Sequence, residues 1–265
     1  MTTTATMSPS SARTILNKVP EVTIFFWIIK IMATTVGETA ADFLNAKLEL
    51  GLTKTTLIMA ALLLAALVAQ FRARRYVPGI YWLAVVLISV VGTLITDNLT
   101  DNFGVSLWTT TIIFTVAMCL SFGAWFAVEK SLSVHTITTV RRETFYWSSI
   151  LFTFALGTAA GDLISERLDL GYWKSGLLFG GLIALVAFGH FVLKLNEIAT
   201  FWIAYILTRP LGASIGDYLT ASKDDGGLGI PSYVITAMFI VTIVGLVIKF
   251  TLDQRRDDRL VETNV

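Results

Sequence analysis

The sequence contains few of the residues that build disulfide-bonded, thiolate-metal or highly charged proteins. It has one cysteine and two histidines, and only 15% of its 265 residues are charged. A single cysteine excludes an intrachain disulfide framework. Without a cluster of soft or imidazole ligands, copper and structural zinc sites are not expected. Soluble domains carry about 25% charged residues, and a net charge of +1 gives no reason to expect nucleic acid as a partner.

Hydrophobic residues, by contrast, make up 55% of the chain and occur in long runs. A run of about 17–25 apolar residues spans a bilayer as a helix. Eight such segments are predicted, at about 21–46, 53–71, 78–98, 105–128, 143–165, 173–194, 198–221 and 231–251. We therefore predict an all-α protein with eight transmembrane helices, which has the lipid bilayer as its surroundings and needs no cofactor.

One short pattern occurs four times: a tryptophan, a glycine ten residues later, and an aspartate five residues after the glycine. Four copies in one register indicate an internal repeat. Each repeat has two predicted helices and returns the chain to the side it started from. The repeats should therefore be parallel, forming two pseudo-symmetric halves. The copies are Trp27, Gly37 and Asp42; Trp82, Gly92 and Asp97; Trp147, Gly157 and Asp162; and Trp202, Gly212 and Asp217.

The loops give the predicted boundaries and orientation. We predict one membrane domain at 20–252, with repeats at about 20–75, 76–135, 140–195 and 196–252. Lysines and arginines concentrate in the loops on the side of the chain ends. The positive-inside rule therefore predicts cytoplasmic termini, with a disordered tail at 1–19 and a second tail at 253–265. The four tryptophans then fit an aromatic belt at the cytoplasmic interface, and the aspartates lie about 22 Å further along their helices.

Acidic residues recur in every repeat near the end of its first helix. A lipid-facing charge costs about 2.5–3.5 kcal/mol on insertion scales, so these side chains should face the bundle interior. Converging carboxylates repel one another unless a cation or protons neutralise them. The alternative is that each acid only caps a helix in an outer loop. The candidate cation-binding residues are Glu38, Asp42, Asp97, Asp101, Asp162, Glu166 and Asp217, and the four repeat aspartates are the candidate metal ligands.

Two basic residues lie within predicted spans. Lys30 follows Trp27 closely, so its side chain either extends to the cytoplasmic interface or acts inside the bundle. Arg209 either belongs to a transport site or pairs with an acid such as Glu38 and locks the bundle. Pro210 removes a backbone hydrogen bond and predicts a kink beside Arg209. We therefore treat Lys30, Arg209 and Pro210 as candidate coupling or gating residues.

Several motifs resemble a known family. They are NKVPEVT at 17–23, FWIIK at 26–30 continuing to Asp42, LGTAAGD at 156–162, and RPLGA at 209–213 continuing to Asp217. They look like those of bacterial integral-membrane proteins built from repeats of a domain of unknown function. The resemblance spans about 17–250. It implies an inner-membrane location and the repeated architecture, and it supplies no substrate.

These patterns favour an inner-membrane transporter of a cation. Carboxylate, hydroxyl and amide oxygens suit a hard divalent ion such as Mn²⁺ or Mg²⁺, with or without proton coupling. One alternative is a proton-coupled carrier of an organic or anionic solute bound by Lys30 and Arg209. Another is a membrane scaffold whose acid–base pairs only hold helices together. No nucleophile-elbow, zinc-protease or nucleotide-binding motif is present, so an enzyme is not expected. The sequence does not define the oligomeric state.

Overall fold

The computed structural model describes residues 17–47 and 51–263, so residues 1–16 of the predicted tail lie outside the described residues. Within those ranges the chain is helical, with connecting loops and no strand. Eight helices are long and apolar enough to cross a membrane, which confirms the predicted fold class. They are α1 (Ile24–Lys47), α2 (Leu52–Arg72), α3 (Pro78–Asp97), α4 (Leu107–Glu129), α5 (Val140–Asp162), α6 (Tyr172–Phe191), α7 (Glu197–Thr220) and α8 (Ser232–Thr263).

Local sequence signals fix where several helices begin. Pro78 opens α3, where its missing N–H needs no partner. Asn196 caps α7, and its side-chain oxygen accepts a hydrogen bond from the Ala199 N–H at 3.0 Å. Gly51 and Gly171 precede α2 and α6 with φ values of 75° and 76°. Glycine adopts this left-handed conformation without strain, and its recurrence marks equivalent turns in the two halves.

The odd-numbered helices form a closed ring, and the even-numbered helices surround it. In the ring, α1 packs against α3, α3 against α5, α5 against α7, and α7 against α1. Each even helix packs mainly against the odd helix that follows it in the chain, and α8 closes the circle by packing against α1. Each repeat is thus clasped by the next one, and its own two helices do not form the main pair.

Burial follows this division. In the most apolar stretch of each odd helix 56–67% of residues are buried, against 11–17% in the even helices. This difference confirms that the odd helices line the centre. Exposed large apolar side chains cover the even helices, including Leu64, Leu120, Leu185 and Val241. Such a surface is typical of helices that face lipid, as expected for a multi-pass membrane protein.

The motif glycines let the odd helices approach closely. An added Cβ at Gly92 would lie 3.1 Å from the Phe154 Cβ atom of the next odd helix. At Gly37, Gly157 and Gly212 the added atom would collide with the next helix around the ring. The residues met there, including Phe154, all lie seven positions after a motif tryptophan. In ring order, Gly37 faces Ser89, Gly92 faces Phe154, Gly157 faces Arg209, and Gly212 faces Thr34.

Both chain ends differ from the predicted tails where the structure describes them. Lys18 lies against the bundle, and its Nζ pairs with Glu143 Oε2 at 2.7 Å and donates to the Phe71 carbonyl at 3.1 Å. The adjacent Val19 is buried among core residues. The predicted disordered tail at 1–19 is therefore wrong for residues 17–19, because a buried ion pair holds them in place. At the other end α8 continues to Thr263, through most of the predicted tail at 253–265.

Candidate functional site

A cavity of about 440 Å³ lies at the end of the bundle opposite Asn17 and the start of α1. Its wall includes residues from all four repeats and the loop before α8. The ring arrangement explains this convergence, because each odd helix presents the same register to the common axis. The acidic residues that line the cavity are Glu38, Asp42, Asp97, Asp101, Asp162, Glu166 and Asp217. The structure thus brings all seven candidate acids to one space.

The acids differ in depth. Asp42, Asp101 and Glu166 are exposed, and the other three aspartates are half-buried. Glu38 is 6% exposed and forms the deepest acidic part of the wall. Asp97 and Asp162 make no capping hydrogen bond at the helix ends they occupy, so helix capping does not explain them. We call this space the acid cavity.

Two π-helical turns complete the wall. The chain continues from α3 into Asn98–Asn102 and from α5 into Leu163–Arg167. These turns carry Asp101 and Glu166, the second acids of repeats two and three. Isolated π-turns are rare, and they occur frequently at functional sites. Here they occur at equivalent positions in two neighbouring helices and place extra carboxylates at the mouth of the cavity.

The aspartates do not form a preassembled set of metal ligands. Among the described residues, no group of three or more histidine, cysteine, aspartate or glutamate side chains is arranged to hold a metal ion. The prediction that Asp42, Asp97, Asp162 and Asp217 ligate one metal directly is therefore not supported by this geometry. The acid cavity has room for several water molecules, so it suits a cation that keeps part of its hydration shell.

Arg209 forms the layer below the cavity. Its side chain is fully buried, and Nη2 pairs with Glu38 Oε2 at 2.8 Å. The same nitrogen donates to Thr158 Oγ1 at 2.7 Å and to the hydroxyl of Thr93. The pairing with Glu38 is the one that the sequence suggested as a bundle lock. One guanidinium thus ties α7 to α1, α3 and α5.

Pro210 lies inside α7, and the helix continues through it over Glu197–Thr220. The role that the structure shows for this residue is packing. Its ring lies against the space beside Gly157, where an added Cβ would be 3.1 Å from Pro210 Cδ. A break in α7 at this point, which would have resembled the discontinuous helices of transporters, is not what the structure shows.

Lys30 is deeper still and does not extend to the interface. It is 0% exposed, and its Nζ donates to the Tyr205 carbonyl at 3.0 Å and to the hydroxyl of Thr208. The ammonium nitrogen lies 3.6 Å from the centre of the Tyr205 ring and 4.9 Å from that of Phe154. No carboxylate of the described residues lies within ion-pair distance of Lys30. Short polar and aromatic contacts hold it inside the ring, so the interface interpretation is wrong.

Three of the four motif tryptophans form part of the core instead of an aromatic belt, and Trp27 is half-buried against that core. Trp82, Trp147 and Trp202 are at most 5% exposed. The pattern misled because tryptophan suits both the interface and a crowded protein interior. Tyrosines contribute to the same layer, and the hydroxyls of Tyr81 and Tyr146 lie 2.5 Å apart. This aromatic layer fills the half of the ring that lies away from the acid cavity.

The candidate residues named from the sequence omit several buried residues that the structure places beside Arg209, beside Lys30 or at the opposite end of the ring. Thr93 and Thr158 share the register of Glu38, four residues before the repeat aspartate, and that register could have identified them. Tyr205 carried no signal, because an aromatic residue in an apolar helix is unremarkable. Glu143 is fully buried in its pair with Lys18. An acid at the edge of a predicted span was the available signal for it.

The fold and cavity define a polytopic all-α membrane protein built from four two-helix repeats around an acid-lined cavity. The chain belongs to the family described as Repeat of Unknown Function (DUF347). The family model matches residues 25–76, 80–131, 145–195 and 200–255, once per helix pair and over more than half of the chain. This match confirms the tandem-repeat resemblance. No significant match was found among curated proteins or among solved structures.

Proposed function

We propose that the protein transports a hard divalent cation, such as Mn²⁺ or Mg²⁺, through the acid cavity. The observation that carries the proposal is the convergence of seven carboxylates on one cavity of about 440 Å³ inside the ring of helices. Carboxylates at this density attract divalent cations and exclude anions. Mg²⁺ gives up its water reluctantly and is often held through water and one or two carboxylates. A hydrated ion therefore fits a cavity that lacks a direct set of metal ligands.

The order of layers along the axis of the ring supports a transport cycle. Acids line one end of the ring, polar groups around Arg209 and Lys30 occupy the middle, and packed aromatic rings fill the other end. Such a molecule is open to one side. Alternating access would then require the aromatic layer to loosen while the acid mouth closes. Repeats that clasp one another around a ring provide surfaces for such a rearrangement.

The proposed setting is the inner membrane of a bacterium, with both termini in the cytoplasm. The concentration of basic residues in the loops on the side of the termini supports this orientation. The acid cavity would then face the outside of the cell. In this arrangement the described structure would correspond to an outward-open state.

The alternative of an anionic solute has less support, and no enzymatic activity is proposed. Arg209 is already paired with Glu38. Lys30 is enclosed by backbone, hydroxyl and aromatic groups. Neither residue lines the acid cavity, so neither presents its charge to an incoming carboxylate. A scaffold remains the competing explanation from another class, because the Arg209 contacts join all four repeats.

Purified protein in liposomes tests the proposal. Uptake of Mn²⁺ or Mg²⁺ is measured with a fluorescent indicator inside the vesicles, with and without a pH gradient. Asp162→Asn keeps the side-chain shape and removes one charge, so flux should fall at least tenfold. Asp224→Asn, in an exposed loop outside the cavity wall, is the matched control and should leave flux unchanged.

Thermal unfolding in detergent shows whether a loss of flux in Asp162→Asn comes from a loss of folding. Asp162 makes no ion pair with any described basic residue. Neutralising it therefore relieves repulsion among the acids, and stability should be unchanged or higher. A scaffold whose acid–base contacts centre on Arg209 and Glu38 also predicts unchanged stability, so ion flux is the measurement that separates it from a transporter. Normal ion flux in Asp162→Asn liposomes would refute the transport site.

A further inference from the structure

One layer of the ring brings side-chain oxygens from three repeats together around a single positive group. The position four residues before each repeat aspartate carries Glu38, Thr93, Thr158 and Ala213 in the four repeats. The three polar members come from different helices, and all three contact Arg209 Nη2. We call Glu38, Thr93 and Thr158 the inner oxygen layer.

The contacts within this layer suit a compact cation better than they suit a guanidinium. Three oxygens converge on one nitrogen, and an Nη2 group has only two hydrogens to donate. Meanwhile Nε of the same side chain is buried without a hydrogen-bond partner among the described residues. Within the described part of the chain, the hydrogen bond of Nη1 is a long one, 3.5 Å, to the Thr34 carbonyl. A small cation can be coordinated by three oxygens at once, whereas these three cannot all accept hydrogen bonds from Nη2.

The fourth repeat explains how Arg209 reaches this point. Its equivalent residue, Ala213, has no side-chain oxygen and little bulk. Arg209 lies one turn earlier on the same helix, and its side chain crosses the space that Gly157 leaves open. The guanidinium therefore reaches a layer formed by the other three repeats, from a helix that supplies no oxygen of its own.

We propose that the inner oxygen layer is a cation-binding site for a singly charged cation, and that Arg209 is its tethered occupant. The charge follows from the layer itself, because Glu38 is its one carboxylate and balances one positive charge. Glu38 also lines the acid cavity, so an ion entering the cavity meets the layer there and exchanges with the guanidinium. The inference rests on the proposed function, since a cation reaches the layer only through the cavity.

Removal of the tethered cation provides the test. Arg209→Met keeps much of the side-chain volume and vacates the layer. Its thermal unfolding in detergent is followed in NaCl, KCl or guanidinium chloride at millimolar concentration, with choline chloride at equal ionic strength as the reference. At least one of these small cations should raise the melting temperature in a saturable way. The apparent dissociation constant of that cation, taken from the saturation curve, should be at least tenfold lower for Arg209→Met than for the wild-type protein.

Matched variants locate the binding. Adding Thr93→Val and Thr158→Val to Arg209→Met keeps the shape and removes two oxygens, so the cation effect should disappear. Adding Asp224→Asn should leave it intact, because that residue lies in an exposed loop outside the cavity wall. Arg209→Lys returns a tethered cation to the layer and should again suppress the effect. A cation effect that survives the two valines would overturn the proposal.

The folding behaviour of Arg209→Met also tests the proposal. If Arg209→Met folds only when one of the small cations is present, the cation has replaced the guanidinium and the proposal stands. If it folds in choline and none of the three cations stabilises it, or if none restores its folding, the layer is a structural lock and the proposal fails. Divalent flux through the wild-type protein is independent of these results. Its loss in Asp162→Asn would still support the acid cavity as the transport site.

Discussion

Gly157 gives the sharpest test of the ring packing, because a single methyl group there meets atoms that cannot move away. In Gly157→Ala the new Cβ would lie 2.5 Å from Arg209 Cβ and 3.1 Å from Pro210 Cδ. Both atoms are fixed close to the α7 backbone, so α5 and α7 must separate. Overpacking of this kind costs about 1–3 kcal/mol. Displacement of Arg209 would also weaken its charged hydrogen bonds, which are worth about 1.5–3 kcal/mol each.

Gly161 is the matched control one turn along the same helix. Its added Cβ would lie 3.6 Å from Pro210 Cα and 3.8 Å from Ala213 Cβ, which is ordinary van der Waals contact. Gly→Ala at a site without strain stabilises by about 0.4–1 kcal/mol. Gly161→Ala should therefore melt at the same or a higher temperature than the wild-type protein.

Thermal and denaturant unfolding in a mild detergent measure both variants, with size-exclusion elution as the check on folding. We expect Gly157→Ala to lose at least about 2 kcal/mol relative to Gly161→Ala, once the helix-propensity gain common to both is removed. Equal stability of the two variants would refute the close approach of α5 and α7.

Two further predictions concern buried charges. Glu143→Ala strands the Lys18 ammonium in a buried site and should cost about 3–5 kcal/mol. Adding Lys18→Met should recover part of that loss in unfolding measurements, and no recovery would contradict the buried pair. Lys30→Met replaces an ammonium that has no carboxylate partner among the described residues, so stability should be unchanged or higher. In the liposome assay the same variant should lose ion flux if Lys30 couples transport, and unaltered flux would assign Lys30 a packing role.

The sequence was sufficient for the membrane class, the eight helices and the repeat, because each depends on local properties. The length of an apolar run and the interval between Trp82 and Asp97 can be read along the chain without knowing what lies across the bundle. The inward direction of the acids was also predictable, since a charge facing lipid is costly. Their joint presence in one cavity follows from the parallel register of four equivalent helices.

Only the tertiary structure decided which helix packs on which, and therefore which charges meet. A residue's sequence neighbours do not reveal that Arg209 reaches three other repeats, or that Lys30 is enclosed by Tyr205 and Thr208. The burial of the tryptophans depended in the same way on packing around the ring. Local periodicity fixes a helix and its faces, whereas the partner of each face depends on contacts between residues far apart in the chain. Contacts between distant parts of the chain form the ring of odd helices, the inner oxygen layer and the Lys18–Glu143 pair.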